Sequence, residues 1–111
     1  MTAPLDLVRA QLDAYNAQDL EAHCACFAAD VIVANVGEEP NLRGIAAYRD
    51  RYATLFGNFP QNRAEALSRT VIGEKVVDHE RVWRSPEAEP FEVFAVYSFG
   101  GGKITRVDFV R

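Results

Sequence analysis

The sequence has few of the residues that staple, ligate metals or grip polyanions. Two of its 111 residues are cysteine. Cys24 and Cys26 stand two apart in a stretch that reads as helix, where that spacing points side chains to different sides and excludes a bridge between them. Two unbridged thiols fit a reducing compartment. The one place where histidine and cysteine gather, "HCAC" at residues 23–26, lacks the spacing of a zinc site, so no metal is expected. Basic residues number 12 against 16 acidic ones and are scattered, which leaves a net charge of -4 and argues against a nucleic-acid partner. No stretch approaches the roughly 20 apolar residues of a membrane span, and "MTAPLDLVRAQ" lacks the basic start and apolar run of a secretory leader. The expectation is a soluble cytoplasmic protein without a membrane partner. The triglycine at 100–102 has no strand-then-helix setting and reads as a hairpin rather than a phosphate loop. No cofactor is expected.

What is present is an ordinary globular composition, 49% hydrophobic and 25% charged, consistent with one domain over 1–111. Leu5, Val8, Leu12 and Tyr15 recur at helical spacing behind Pro4 and Asp6, predicting a helix over 4–17. Asp19 is a suitable N-cap for a short second helix with Leu20, His23, Cys24 and Phe27 on one face. "DVIVANV" reads as a strand and "GEEPN" as a turn. A third helix after Gly44 carries Ile45, Tyr48, Tyr52, Leu55 and Phe56 on one stripe. From Arg63 the period changes to two, predicting a meander of strands over 63–72, 75–84, 90–99 and 103–110. The fold class is α+β, with helices against one face of a mostly antiparallel sheet.

If Gly73-Glu74 forms a type II′ hairpin, Ile72 faces Lys75, and Thr70, Ser68, Ala66 and Ala64 oppose Val77, His79, Arg81 and Trp83. Arg69 then opposes Asp78 on the other face. Small residues beside large ones suit a concave face, so His79, Arg81 and Trp83 are expected to line a cavity with Phe91, Val93, Ala95, Tyr97, Thr105, Val107 and Phe109. The reverse phase stays open; it would bury Asp78 and Glu80 together, and two neighbouring acids are hard to ionise at once. The other face would carry Leu67, Val71, Val76, Val82, Phe94, Val96, Ile104 and Val110. That face is too apolar for solvent, so a homodimer through the outer sheet face is expected.

The run "YNAQDLEAHCACFAADVIVANVGEEPNLRGIAAYRDRY" together with "GGKITRVDFV" resembles the SnoaL-like and steroid delta-isomerase-like branch of the nuclear transport factor 2 superfamily. The resemblance covers nearly the whole chain. It implies a cone in which a curved, mostly antiparallel sheet wraps a pocket closed by the three helices. It does not bring the steroid-isomerase catalytic set with it. Asn35 stands near the base position, Gln11 near the oxyanion-hole tyrosine and Ala95 near the acid. "ERV" within "HERVWR" also resembles the limonene-epoxide hydrolase branch. There Arg81 matches an inward arginine, and Trp83 stands where an aspartate would be. Asp108 alternates with Val107 and Phe109 and is expected to face outward.

The resulting expectation is a small-molecule pocket protein, of isomerase, cyclase or lyase character, acting on an apolar carbonyl compound. His79 would move a proton, being the inward side chain that titrates near neutrality, and Arg81 would stabilise developing negative charge. Tyr15, Asn35, Tyr48, Tyr52, Trp83, Ala95 and Phe109 would contact the ligand, which is small and apolar or weakly acidic. Competing readings are a core histidine bonded to Ser68, an internally paired Arg81, and a binding or interaction module without chemistry.

Overall fold

The computed structural model describes residues 3–111, and its architecture follows from a few local devices. Helix α1 (Pro4–Asn16) begins at a proline, whose missing amide is no loss in a first turn, and buries Leu7, Val8, Gln11 and Ala14. The Asp19 carboxylate accepts the Ala22 N–H at 3.1 Å and starts α2 (Leu20–Cys24), as its sequence position indicates. Strand β1 (Phe27–Asn35) pairs with a two-residue strand β2 (Leu42–Arg43), which is too short to show any periodicity in the sequence. Gly44, at φ 89°, turns the chain out of β2 and into α3 (Ile45–Asn58), a conformation that favours glycine. The meander follows as β3 (Arg63–Ile72), β4 (Lys75–Trp83), β5 (Phe91–Gly100) and β6 (Lys103–Val110). The sheet runs β2-β1-β6-β5-β4-β3 and is antiparallel except where β1 lies beside β6.

The helices cover one face of this sheet. Val8, Val31, Val76, Ala95 and Ile104, each without measurable exposure, form the central contact. At the far end of α1, the Asn16 side chain binds the backbone of β3 twice, donating to the Ala64 carbonyl at 2.9 Å and accepting its N–H at 2.8 Å. A free strand edge is thereby occupied by a helix-borne amide, and the helix is fixed over the sheet. Among the described residues no helix is long and apolar enough to cross a membrane.

The β3–β4 hairpin corrects the expected phase. Gly73 has φ 57°, and Ile72 faces Lys75, Thr70 faces Val77, Arg69 faces Asp78 and Ser68 faces His79, as the turn chemistry indicates. The register then shifts between Ala66 and Ser68, so that Ala66 opposes Glu80 and Ala64 opposes Val82 instead of Arg81 and Trp83. Burial along β4 alternates with Val76, Asp78, Glu80 and Val82 inside, and His79, Arg81 and Trp83 outside. Two interactions stabilise this phase. Inside, Arg69 forks onto Asp78 with contacts of 2.7 and 2.8 Å. Outside, Glu92 of β5 receives His79 at 2.5 Å and Arg81 at 3.4 Å. Trp83 lies under the guanidinium of Arg63, 4.6 Å from its ring centroid. Val76, Val82 and Ile104, expected on the outer face, are therefore core residues. In β6 a second register shift, between Ser98 and Phe99 of its partner, brings Ile104 rather than Thr105 inward. Asp108 faces outward as expected and pairs with Arg106 at 2.9 Å.

Asp78 is wholly buried and has Arg69 as its only ion-pair partner among the described residues, so Arg69→Met leaves an uncompensated charge in the core. A loss of roughly 3 to 5 kcal/mol in urea unfolding is expected, with much of it restored in Arg69→Met/Asp78→Leu. A single variant as stable as the wild type would contradict this account of the hairpin phase.

Candidate active site

Between the sheet and the helices lies a cavity of about 340 Å³, at the small end of the range for organic ligands. Its polar floor comes from three elements. From β4 the Glu80 carboxyl, 7% exposed, points in. From β5 the Tyr97 hydroxyl donates to Glu80 Oε2 at 3.3 Å. From α1 the Gln11 amide donates one hydrogen to the Tyr97 oxygen at 3.1 Å and the other to the Val8 carbonyl at 3.1 Å. Gln11 thus fixes the direction of the tyrosine hydroxyl, whose remaining hydrogen can only go onward. Burial, and next the Asp78 charge on the same face, push the Glu80 carboxyl up to about 8, against the smaller pull of Tyr97 and Arg69. Burial also raises Tyr97 well above the ordinary phenol range, so it remains a donor.

A second polar chain runs along the helical wall. His23, 1% exposed, approaches the Gln11 backbone oxygen through Nδ1 and the Tyr48 hydroxyl through Nε2, both at 2.8 Å. A carbonyl can only accept, so Nδ1 carries the proton and Nε2 accepts from the Tyr48 hydroxyl. Burial lowers the His23 pKa to about 4, and the imidazole is neutral near pH 7. Burial also pushes Tyr52 up to about 12 and raises Tyr48. The Tyr48 and Tyr52 rings stack with centroids 4.4 Å apart, and Tyr15 meets Tyr52 edge-on at 6.2 Å.

Four of the expected ligand contacts, Tyr15, Tyr48, Tyr52 and Phe109, do line this cavity. Three do not. Asn35 lies at the end of β1 and accepts from Arg111 at 3.3 Å, Trp83 faces outward, and Ala95 is buried in the sheet beneath the cavity lining. His79 and Arg81, expected to carry the chemistry, lie on the opposite face of β4, about a third and two-fifths exposed along their side chains. The cavity instead presents Glu80 with Tyr97 and Gln11, and the inward turn of Glu80 had a readable signal. If β5 turns Val93 and Tyr97 inward, the Val82–Phe91 pairing across residues 84–90 turns Glu80 inward too. His23, set aside as a non-ligand, is a wall residue. Among the described residues no group of three metal-ligating side chains gathers.

The profile of the SnoaL-like domain matches residues 8–107. A crystal structure of a cystatin-fold protein from Novosphingobium aromaticivorans is 36% identical over the full length of both chains, with a TM-score of 0.91. A candidate polyketide cyclase from Sinorhizobium meliloti is 25% identical over 95% of this chain and 94% of its own, with a TM-score of 0.79. An LEH-like epoxide hydrolase from M. tuberculosis, 21% identical over 93% of this chain and 77% of its own at a TM-score of 0.77, shares the fold. No curated protein matches the sequence. With the profile spanning most of the chain and a full-length likeness at this identity, the chain belongs to the SnoaL-like domain family.

Proposed function

We propose that this domain is a cofactor-independent enzyme of isomerase, cyclase or lyase character, acting on a small apolar carbonyl compound, with Glu80 as the group that moves the proton. The observation that carries this reading is a carboxyl poised near 8 on the floor of an aromatic cavity. A general base works best when its pKa lies near the working pH, and a carboxylate at its ordinary value is too weak a base for a carbon acid. In its ionised form Glu80 takes a proton from the carbon beside the carbonyl, and the C–H electron pair becomes the carbon–carbon double bond of an enolate. Returning that proton at another carbon completes an isomerisation. The Tyr15 hydroxyl, which accepts from Arg84 at 3.3 Å, keeps its own hydrogen to donate to the developing oxyanion. His79 and Arg81, outside the cavity, have no part in this chemistry.

We also propose that the outer sheet face is covered by a second copy. Phe94 and Val110 are 43% and 45% exposed there, and Arg106 with Asp108, and Arg81 and His79 with Glu92, pair around them. Two copies of a face whose charges are already paired can meet without a net charge penalty. Light scattering after size exclusion should give twice the chain mass at micromolar concentration; a monomer would remove the dimer.

Glu80→Gln keeps the shape and loses the titration. Its expected effect on any turnover found is a loss of a hundredfold or more, on the order of a general-base contribution, and kcat/KM of the wild type should rise through about pH 8. Unchanged turnover would sink the assignment, and ligand binding without turnover in the wild type would leave a non-catalytic pocket protein.

Stability supplies a check that needs no substrate. Because the folded state holds the Glu80 proton between 4.5 and about 8 while the unfolded chain has released it, this contribution is full below 4.5 and is lost as pH rises through about 8. The unfolding free energy of Glu80→Gln relative to wild type should therefore climb from pH 5 to about 8, with a limiting slope of about 1.4 kcal/mol per pH unit, and level off above. A flat difference would show an ordinary carboxyl.

A further inference from the structure

The charged residues of the cavity are unlike those of the chain as a whole. The protein carries 16 acidic residues against 12 basic ones, yet the cavity is lined by three arginines, Arg51, Arg84 and Arg111, and a single acid, Glu80. Five other arginines, Arg9, Arg49, Arg69, Arg81 and Arg106, pair with carboxylates. Among the described residues none of the cavity three does. Arg51 donates to the side-chain and backbone oxygens of Asn41 at 2.9 and 3.0 Å, and Arg111 donates through Nε to Asn35. Arg84 donates through one terminal nitrogen only, to Asn62 at 2.7 Å and to Tyr15, while its carbon lies 4.9 Å from the centroid of Phe91 and 5.8 Å from that of Phe59. Among the described residues its Nε and second terminal nitrogen have no protein acceptor, which leaves one edge of the guanidinium fork open. These cations come from α3 and from the segments just after β4 and β6, three separate parts of the cavity lining. Arg51 and Arg111 both bear on the Tyr52 hydroxyl electrostatically.

We propose that the cavity takes an apolar organic carboxylate, bound with its anionic group at the arginine rim, Arg84 foremost, and its uncharged end on the floor beside Glu80 and Tyr97. The inference rests on the reading of Glu80 as the reacting group and adds the class of substrate. Length supports one molecule reaching both. Glu80 and Arg84 stand four residues apart along one strand and its exit, about 13 Å between backbone positions at the usual rise. Phe59 and Phe91, 38% and 36% exposed beside Arg84, offer apolar surface to the part of the ligand next to its charge. A neutral ligand would leave the guanidinium edges to water alone, whereas a carboxylate replaces that water with paired N–H donors.

The test is calorimetric titration of 1-naphthoate and 4-phenylbutyrate against their primary amides, with wild type, Arg84→Gln, Arg111→Gln and Glu80→Gln, each checked for folding by circular dichroism. The wild type should bind the carboxylates at least tenfold tighter than the matched amides, and the preference should shrink as salt is raised. Arg84→Gln should abolish most of that preference, and Glu80→Gln should keep it. Should Arg84→Gln fail to fold, the exposed Arg111→Gln should still reduce the preference. Amides binding as tightly as carboxylates would overturn the anionic class while leaving the cavity and Glu80 standing. Full carboxylate preference in both arginine variants would overturn the rim. No binding of either series would overturn the proposal together with the pocket reading beneath it.

Discussion

The forked contact between Arg69 and Asp78 is the interaction on which the interior depends. A strand bearing acids at alternate positions ordinarily turns them to water. Here Asp78 is wholly buried, and both of its oxygens are taken by one guanidinium. That arrangement requires Arg69 to share a face with Ala66 and Ala64, which strict alternation forbids, and the register shift around Leu67 supplies the extra residue. With Asp78 on the same face, the next inward acid has a carboxylate neighbour as well as a dry environment. The raised affinity of Glu80 for its proton follows from the geometry of the hairpin.

Gln11 joins this acid floor to the helical wall. Its side chain holds Tyr97, which holds Glu80, and its backbone oxygen receives the His23 ring, which receives Tyr48. Each hydrogen in the two chains has one sensible destination, so the polar groups around the cavity are ordered before any ligand arrives. A ligand entering such a cavity meets donors and acceptors whose directions are already set. The same order explains why a glutamine can occupy a helix position whose neighbours on the same face, Leu7, Val8 and Ala14, are apolar.

The α+β architecture was legible because every element except the two-residue β2 carries its own local signal: Pro4 and Asp19 at helix starts, Gly44 at a bend, Gly73 at a hairpin. The hairpin register was legible as far as the turn controls it and no further. Beyond Ser68 the register depends on an insertion that no turn residue announces. On β4 the two phases offer nearly equal apolar content, Val76 and Val82 against Val77 and Trp83, so burial alone cannot choose between them. The choice is made by partners on other strands, Arg69 inside and Glu92 outside, and becomes readable only when the connection to β5 fixes which residues stand opposite. Tyr15, Tyr48, Tyr52 and Phe109 were within reach of the sequence because helical and strand periodicity place them without help from β4.

Glu80 and Glu92 show how much the chosen phase matters. The two carboxyls belong to neighbouring strands and have the same intrinsic chemistry. Glu92, on the outer face, receives His79 and Arg81, and these hydrogen bonds lower its pKa. Glu80, on the inner face, has lost its water and faces Asp78, and its pKa rises. Had the strand lain in the other phase, an imidazole and a guanidinium would have entered the cavity, both of them desolvated cations when charged, and the acids would have titrated in solvent as ordinary carboxylates. Position on the sheet, and not residue type, therefore raises one of these two carboxyls to about 8 and lowers the other.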